Sequence, residues 1–469
     1  MKIRTRLTAA AVTATTSIGL ALSGAAVLAP AQASQAKDPV LTETDYGFQA
    51  TAYGTRVQSD VAALDSTRLP FSYLSCTRLA GRKDARSLAS VQLPANDPYV
   101  DVETVDSKTR SYRDKGNGID AAITGITQIG KVKLGNSSTP RLTINDLKTQ
   151  STAWATNAGD LKTSNQISSG GISIDGVSGP GTGTPLDDLI DAANGGINDV
   201  IAALAANGNK IEIPGLGMVS LGFDRQVTKK YWAAASSFVL RVQLYGPDQV
   251  SGGGDDSLVG IGRSWARINK DLPAGVMGGF GYGANAELLD GIVKEGRLGE
   301  QPLRCRGTDG KVRVGPVAGI DLGGAGQIQA SGLQGRAFGV QHDSGKANAW
   351  TEGSVADVNL GGGSLEIKGI VGRANVAQNK SGQITERSIK GSSIGEIIVN
   401  GESQGSFDPA TAGQIPPLEV PGVAKIEFFK KQKTNRGMKV SAVVITLADG
   451  SPGVSVIRLG NAAVHVKRY

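Results

Sequence analysis

Phe238-Val-Leu-Arg-Val-Gln-Leu244 and Ala442-Val-Val-Ile-Thr-Leu447 are apolar, partly β-branched runs at matching places in the two halves of the 469-residue chain. In the first run the polar residues Arg241 and Gln243 alternate with apolar ones, which is the period of a strand with one buried face. β-branched residues also favour the pleated surface of a sheet. The two runs therefore predict equivalent strands in a chain built mainly from sheets.

Other short matches flank these two runs and keep the same order in both halves. Tyr53 precedes Cys76 by the same number of positions as Tyr282 precedes Cys305. The remaining matched segments are 142–147 with 365–370, 171–176 with 396–401, 213–215 with 420–422, and 261–262 with 459–460. A collinear series of this kind indicates an internal repeat. We therefore predict two related β-rich units, 42–272 and 273–469, which follow a leader at 1–33 and a linker at 34–41.

Short predicted strands separated by turn-forming pairs such as Asn207-Gly208 and Asn400-Gly401 indicate an all-β fold. We predict two tandem, related β-sandwich-like units. A β-solenoid is the structural alternative, but the chain lacks the persistent period of roughly 20–30 residues that stacked coils require. A sandwich is therefore the favoured architecture.

Residues 185–206 are the exception to the strand pattern, because apolar residues recur there at steps of three and four positions. Thr184 and Pro185 suit the start of an amphipathic helix, and Gly208 suits its end. Gly195-Gly196 lies in the middle and should bend or split the helix. The polar face lacks Lys and Arg, so packing over an open end of a sheet is favoured over binding at a membrane surface.

The composition is that of a globular, turn-rich protein: 65 residues are Gly, 39% are hydrophobic and 19% are charged. Lys2, Arg4 and Arg6 precede an apolar run that ends at Ala31-Gln-Ala33, the pattern of a secretory signal peptide cleaved after Ala33. An uncleaved membrane anchor is the alternative. The net charge of +7 falls further when this leader is removed, and so small a charge does not favour nucleic acid as a partner.

Beyond residue 33 no apolar run reaches the roughly 18 residues that a membrane-spanning helix needs. We therefore expect no membrane span after removal of the signal peptide. The expected location is secreted, either extracellular or loosely associated with the cell wall.

A longer stretch of the second unit resembles a known family. Trp350-Thr-Glu-Gly-Ser-Val-Ala-Asp-Val-Asn-Leu-Gly-Gly-Gly-Ser-Leu-Glu-Ile-Lys-Gly-Ile370, followed by Arg373-Ala-Asn-Val376, resembles the core of the secreted bacterial choice-of-anchor P proteins. Segments 394–401, 421–422 and 443–447 extend the resemblance, which is fainter in the first unit. The resemblance implies an exported, surface-associated, strand-rich protein without known enzymatic activity.

Cys76 and Cys305 are the only cysteines and occupy equivalent places in the two units. Export would place them in an oxidising compartment, where pairing is favoured. A disulfide between equivalent positions requires their Cα atoms to approach within about 7 Å. The alternative is two separate buried thiols that the duplication produced.

The patterns typical of enzymes are weak in this sequence. Gly391-Ser-Ser-Ile-Gly395 fits the G-x-S-x-G pattern of hydrolases, but that chemistry needs a strand-to-helix turn and a His base, and here a strand is predicted to follow. Asp255-Asp256 lacks the graded ligand spacing of a calcium loop. His342 and His465 have no Cys or Glu partner at zinc spacing. We expect no enzymatic activity, no cofactor and no metal site.

Basic residues precede the two equivalent strands predicted at 238–244 and 442–447. They are Lys229 and Lys230 in the first unit, and Lys430, Lys431, Lys433 and Arg436 in the second. These residues predict basic hairpin ends that contact an anionic cell-wall polymer or glycan. The alternative is that they are solvated turns that protect strands from aggregation.

The leading functional prediction is a non-catalytic structural or cell-surface-associated protein. A module that binds a cell-wall polymer or a carbohydrate is the second reading, and it requires an exposed aromatic platform. The candidates for such a platform are Tyr231, Trp232, Trp265 and Trp350.

Overall fold

The computed structural model describes residues 40–59, 69–93, 100–176, 184–245, 257–287, 297–322, 328–409, 417–421, 424–447 and 456–468. The chain from Val40 to Tyr469 forms one compact unit. The predicted signal peptide, its cleavage site at Ala33 and most of the predicted linker lie outside the described residues. Asp255-Asp256 lies outside them as well.

The described residues form 26 strands. In the first half these are β1 (Thr42–Ser59), β2 (Leu69–Ala80), β3 (Lys83–Leu93), β4 (Val100–Asp114), β5 (Ile119–Leu134), β6 (Arg141–Thr156), β7 (Leu161–Ser168), β8 (Gly171–Asp175), β9 (Lys210–Ile213), β10 (Gly217–Lys229), β11 (Trp232–Leu244) and β12 (Ser257–Asn269). In the second half they are β13 (Val276–Glu287), β14 (Gln301–Leu303), β15 (Arg313–Val314), β16 (Ala318–Leu322), β17 (Ile328–Gln341), β18 (Ala347–Leu360), β19 (Leu365–Gln378), β20 (Ile384–Ser388), β21 (Ile394–Val399), β22 (Glu402–Phe407), β23 (Leu418–Val420), β24 (Ala424–Thr434), β25 (Gly437–Leu447) and β26 (Val456–Lys467).

Four antiparallel sheets contain these strands. Sheet A has the order β2-β1-β12-β11-β10-β9, and sheet B has the order β3-β4-β5-β6-β7 with β8 also paired to β6. Sheet C has the order β14-β13-β26-β25-β24-β23, and sheet D has the order β15-β17-β18-β19-β21-β22 with β16 on β17 and β20 on β19. Sheets A and B face each other across the first core, and sheets C and D face each other across the second.

The two sandwiches are built to one plan. Sheets A and C have the same strand order, with each strand of sheet A matched by one at the same place in sheet C. Gly262 in β12 and Gly460 in β26 both have a positive φ, at 69° and 57°. The prediction of an all-β fold made of two related, sandwich-like units is confirmed.

The segment predicted to be an amphipathic helix forms two helices, α1 (Pro185–Gly195) and α2 (Ile197–Ala206). Thr184 caps α1 because its side chain accepts a hydrogen bond from the backbone N–H of Asp187, and the Asp187 carboxylate accepts one from the backbone N–H of Thr184. The break falls at Gly196, where φ is 104°. Both helices bury their apolar face in the core of the first sandwich, α1 beside β8 and β9 and α2 beside β7, β9 and β10. Among the described residues, no helix is long and apolar enough to cross a membrane.

Candidate functional site: a groove lined by arginine and aromatic residues

The junction of the two sandwiches is held by a disulfide between Cys76, in β2, and Cys305, just after β14. Their Cα atoms are 5.2 Å apart. Both cysteines are buried and pack with Leu272 and Val276. The bond resolves the two alternatives that the sequence left open in favour of pairing.

Beside this junction, the outer face of sheet A carries a groove of about 450 Å³, which we call the arginine groove. The first sandwich contributes Gln49, Thr51, Tyr53, Arg56, Tyr73, Phe238, Arg241, Leu258, Gly260, Arg263 and Trp265 to its lining, and the second contributes Gln301, Pro302 and Arg304. Both sandwiches therefore contribute to the groove.

Strand alternation explains why these side chains reach the groove. In β1, Phe48 and Ala50 point into the core, so the intervening Gln49 and the following Thr51 lie on the opposite face. The same alternation places Trp265 beside Thr51, because these two residues pair across β1 and β12. The floor of the groove is thus the regular outer surface of a rigid sheet.

The groove is strongly basic. Four arginines line it, and no Asp or Glu occurs among the described lining residues. Within the described part of the chain, neither Arg241 nor Arg304 makes an ion pair. Packing lowers the pKa of Arg304, and the positive charge of Arg313 acts in the same direction. The described lining thus carries more positive than negative charge, which a bound anion would offset.

Arg267 adds a buried positive charge near the groove. It is only 5% exposed, its guanidinium lies 4.0 Å from the centre of the Trp232 ring, and its Nε donates a 3.0 Å hydrogen bond to Asn269 Oδ1. Burial lowers the pKa of Arg267 to about 9, and the positive charge of Arg304 adds to this effect, whereas Asp309 opposes it. Arg267 lies in β12 and pairs with Gln49 of β1, which lines the groove.

An aromatic cage borders the arginine groove. The cage consists of the rings of Phe71, Tyr73, Phe280 and Tyr282, whose centres surround the Arg297 guanidinium at 3.8 to 6.0 Å. Arg297 forms an ion pair with Glu300, at 3.2 Å, and the Glu300 side chain is only 3% exposed. Burial alone would lower the pKa of Arg297, but the Glu300 carboxylate raises it on balance.

Four of the six predicted basic residues lie at hairpin ends, two of them in sheet A and two in sheet C. Lys229 is the last residue of β10 and Lys230 follows it in the turn, with its ammonium 4.9 Å from the centre of the Tyr231 ring. Lys433 and Arg436 lie at the β24–β25 turn, where Arg436 Nη1 donates a hydrogen bond to the Gly382 carbonyl. Neither hairpin end contributes to the lining of the arginine groove.

Lys430 and Lys431 differ from the other predicted residues because they line a second depression, of about 330 Å³, on the outer face of sheet C. We call this depression the lysine groove. Its described lining comprises Phe280, Tyr282, Lys430, Lys431, Gln432, Lys439, Val440, Ser441, Asn461, Ala462 and Ala463.

Of the four candidate platform aromatics, only Trp265 lines the arginine groove. Trp232 instead supports Arg267, and Tyr231 lies between Lys230 and Arg306. Trp350 belongs to sheet D, where it stacks on Phe338 with ring centres 5.7 Å apart.

The G-x-S-x-G segment has the geometry of a sheet and not of a nucleophile elbow. Ser393 exchanges backbone hydrogen bonds with Val371, and β21 follows it directly. The Ser392 hydroxyl is hydrogen-bonded to the backbone of Arg373. Both serines therefore lie in a paired margin of the sheet.

Sequence reasoning missed the arginines of the groove because they are scattered along the chain. The available signal was the alternation of Arg263, Trp265 and Arg267 in one strand, which predicts one outward-facing row of cationic and aromatic side chains. Comparison with known proteins gives no further guide, since no family, curated protein or solved structure matches the chain.

Proposed function

We propose that this protein is an exported, non-catalytic surface protein that binds an acidic glycan in the arginine groove. The observation that carries the proposal is the convergence of four arginines and Trp265 in a groove whose described lining has no carboxylate. Guanidinium groups match carboxylate and phosphate geometry. A half-buried indole offers a flat apolar face on which a sugar ring can stack.

The rigidity of the groove supports binding without large rearrangement. Its floor is a paired sheet, and the residues from the second sandwich lie next to the Cys76–Cys305 disulfide. A preformed site loses little conformational entropy when a ligand binds. The buried disulfide also favours an oxidising location, in keeping with export and with the resemblance to choice-of-anchor P proteins.

Calorimetric titration with a short oligogalacturonate and with a neutral maltooligosaccharide of equal length tests the proposal. We expect the acidic ligand to bind, with an affinity that falls about tenfold or more between roughly 50 and 300 mM NaCl, because salt screens exposed charge. The neutral ligand should bind far more weakly. Equal affinity for both ligands, or no binding of the acidic one at low salt, would overturn the proposal in favour of a purely structural role.

A charge-matched pair of variants locates the site. Arg241→Ala/Arg304→Ala should weaken oligogalacturonate binding by about tenfold or more, since each change removes a charge-assisted contact. Arg110→Ala/Arg387→Ala removes the same charge from exposed positions of sheets B and D and should leave the affinity within about twofold. If both double variants weaken binding equally, the ligand is held by overall charge and not by the groove.

A further inference from the structure

The lysine groove occupies on sheet C the place that the arginine groove occupies on sheet A. Tyr53 pairs with Arg263 across β1 and β12, and both line the arginine groove. At the corresponding place Tyr282 pairs with Asn461 across β13 and β26, and both line the lysine groove. The duplication has therefore produced two depressions at equivalent sites with different side chains.

The lysine groove is also basic, but its charges are ammonium groups. Lys430, Lys431 and Lys439 are exposed, and Lys430 forms a 2.6 Å ion pair with Glu427. Over the described residues, Lys431 and Lys439 form no ion pair. Ammonium groups act as point charges and demand less of the ligand's geometry than guanidinium groups do. This groove suits a repeated anionic group and lacks a Trp on which a sugar could stack.

Residues of the aromatic cage line both grooves. Tyr73 lines the arginine groove, Phe280 lines the lysine groove, and their ring centres are 6.5 Å apart. Phe280 also pairs with Pro302, another residue of the arginine groove. The β13–β14 pair thus contributes residues to both grooves. A linear ligand that extends out of one groove therefore meets the other directly.

We infer that the two grooves are neighbouring subsites for a single linear polyanion, with the arginine groove as the specific subsite and the lysine groove as its extension. This inference rests on the proposed function, because it takes the same acidic glycan as ligand. A chain long enough to cross the cage gains a second, intramolecular contact, which raises its affinity without changing the first contact. A short oligomer fills the arginine groove alone.

Calorimetry with oligogalacturonates of roughly 3 and roughly 12 residues tests this arrangement. The wild type should bind the longer oligomer at one chain per protein and about tenfold or more tightly than the shorter one. Lys430→Ala/Lys431→Ala/Lys439→Ala should abolish most of this gain while changing the affinity for the short oligomer less than about twofold. Its log-affinity for the long oligomer should also fall less steeply with log salt concentration, because fewer counterions are released.

Lys162→Ala/Lys210→Ala/Lys346→Ala is the matched control, since these three lysines are exposed and lie outside both grooves. This variant should keep the full gain with chain length. The inference is overturned if the wild type shows no gain with length, or if the groove variant keeps it. Absence of binding by the short oligomer to the wild type is a different result, because it contradicts the proposed function itself.

Discussion

Cys76 and Cys305 hold equivalent places in the two repeats, and they are bonded to each other with their Cα atoms 5.2 Å apart. A bond between equivalent residues means that the repeats meet at this point through matching surfaces. Arg304 precedes Cys305 directly and lines the arginine groove. The disulfide therefore holds the groove residues of the second sandwich in place against sheet A of the first.

Loss of this disulfide should destabilise the protein and loosen the groove. The bond joins residues 229 positions apart, and Cys76→Ser/Cys305→Ser should lower the free energy of unfolding by about 3–5 kcal/mol. Urea unfolding of the double variant and of the wild type, each with and without reductant, measures the effect. Reductant should destabilise only the wild type. Equal urea midpoints for all four samples would contradict the prediction.

The regular parts of the fold follow from local patterns, whereas the site does not. The alternation in 238–244 predicts β11. The apolar period of 185–206 predicts one helix that Gly195-Gly196 bends or splits, and the structure has two helices that meet at Gly196. The sequence predicts Lys430 and Lys431 as part of a basic cluster because the two residues are adjacent in the chain. Arg56, Arg241 and Arg304 come together only through strand pairing and through the junction between sandwiches, and a single sequence does not encode those distances visibly.

Gly262 and Gly460 should be equally intolerant of a side chain, because each has a positive φ in the same place of its sheet. A Cβ at Gly262 would lie 3.1 Å from Val239 Cγ2, and one at Gly460 would lie 2.9 Å from Ile370 Cγ2. Gly262→Ala and Gly460→Ala should each cost about 1–3 kcal/mol of unfolding free energy. Gly171→Ala is the control, since a Cβ there meets no atom within 4 Å. Thermal and urea unfolding should show little change for this control, and a loss as large as in the other two variants would contradict the steric explanation.

Removing one charge of the Arg297–Glu300 ion pair should lower the free energy of unfolding more than removing both charges together. Arg297→Met removes the positive charge beside a carboxylate that is only 3% exposed, and it should cost about 2–4 kcal/mol. Arg297→Met/Glu300→Gln removes both charges and should recover at least half of that loss. Chemical unfolding of the wild type, of the two single variants Arg297→Met and Glu300→Gln, and of the double variant measures the coupling. A double variant as unstable as Arg297→Met would show that Arg297 stabilises the cage through its ring contacts alone.

His465 should make the junction sensitive to acid. Burial lowers the pKa of His465, a hydrogen bond with the Cys76 backbone opposes that effect, and the charges of Lys467 and Lys439 add to it. Because the pKa is lower in the folded state, the unfolded chain binds more protons below about pH 6.5, and stability falls as the pH falls through that value. Relative to His465→Gln, the wild type should lose about 1 kcal/mol more unfolding free energy between roughly pH 7.5 and 5. Parallel pH profiles for the two proteins would contradict this assignment.

Replacing Arg267 should raise the stability of the protein but lower its affinity for the ligand. Opposite changes of this kind distinguish a ligand-binding role from a structural one. Arg267 is only 5% exposed, and its guanidinium is stacked on Trp232. It forms no ion pair among the described residues, so the fold retains a desolvated cation near the groove. Met has a similar length and needs no neutralising partner. Arg267→Met should therefore raise the free energy of unfolding at pH 7 by about 1–3 kcal/mol.

The same substitution should weaken oligogalacturonate binding about threefold to tenfold, because the field of a buried charge is poorly screened by solvent. Arg267→Lys keeps the charge but loses the planar stack on Trp232, so it should retain more affinity than Arg267→Met while being less stable than the wild type. Urea unfolding and calorimetry on these three proteins measure both quantities. A fall in both stability and affinity for Arg267→Met would make Arg267 a structural residue. A gain in stability with lost affinity is the pattern of a charge that is retained for its ligand at the expense of the fold.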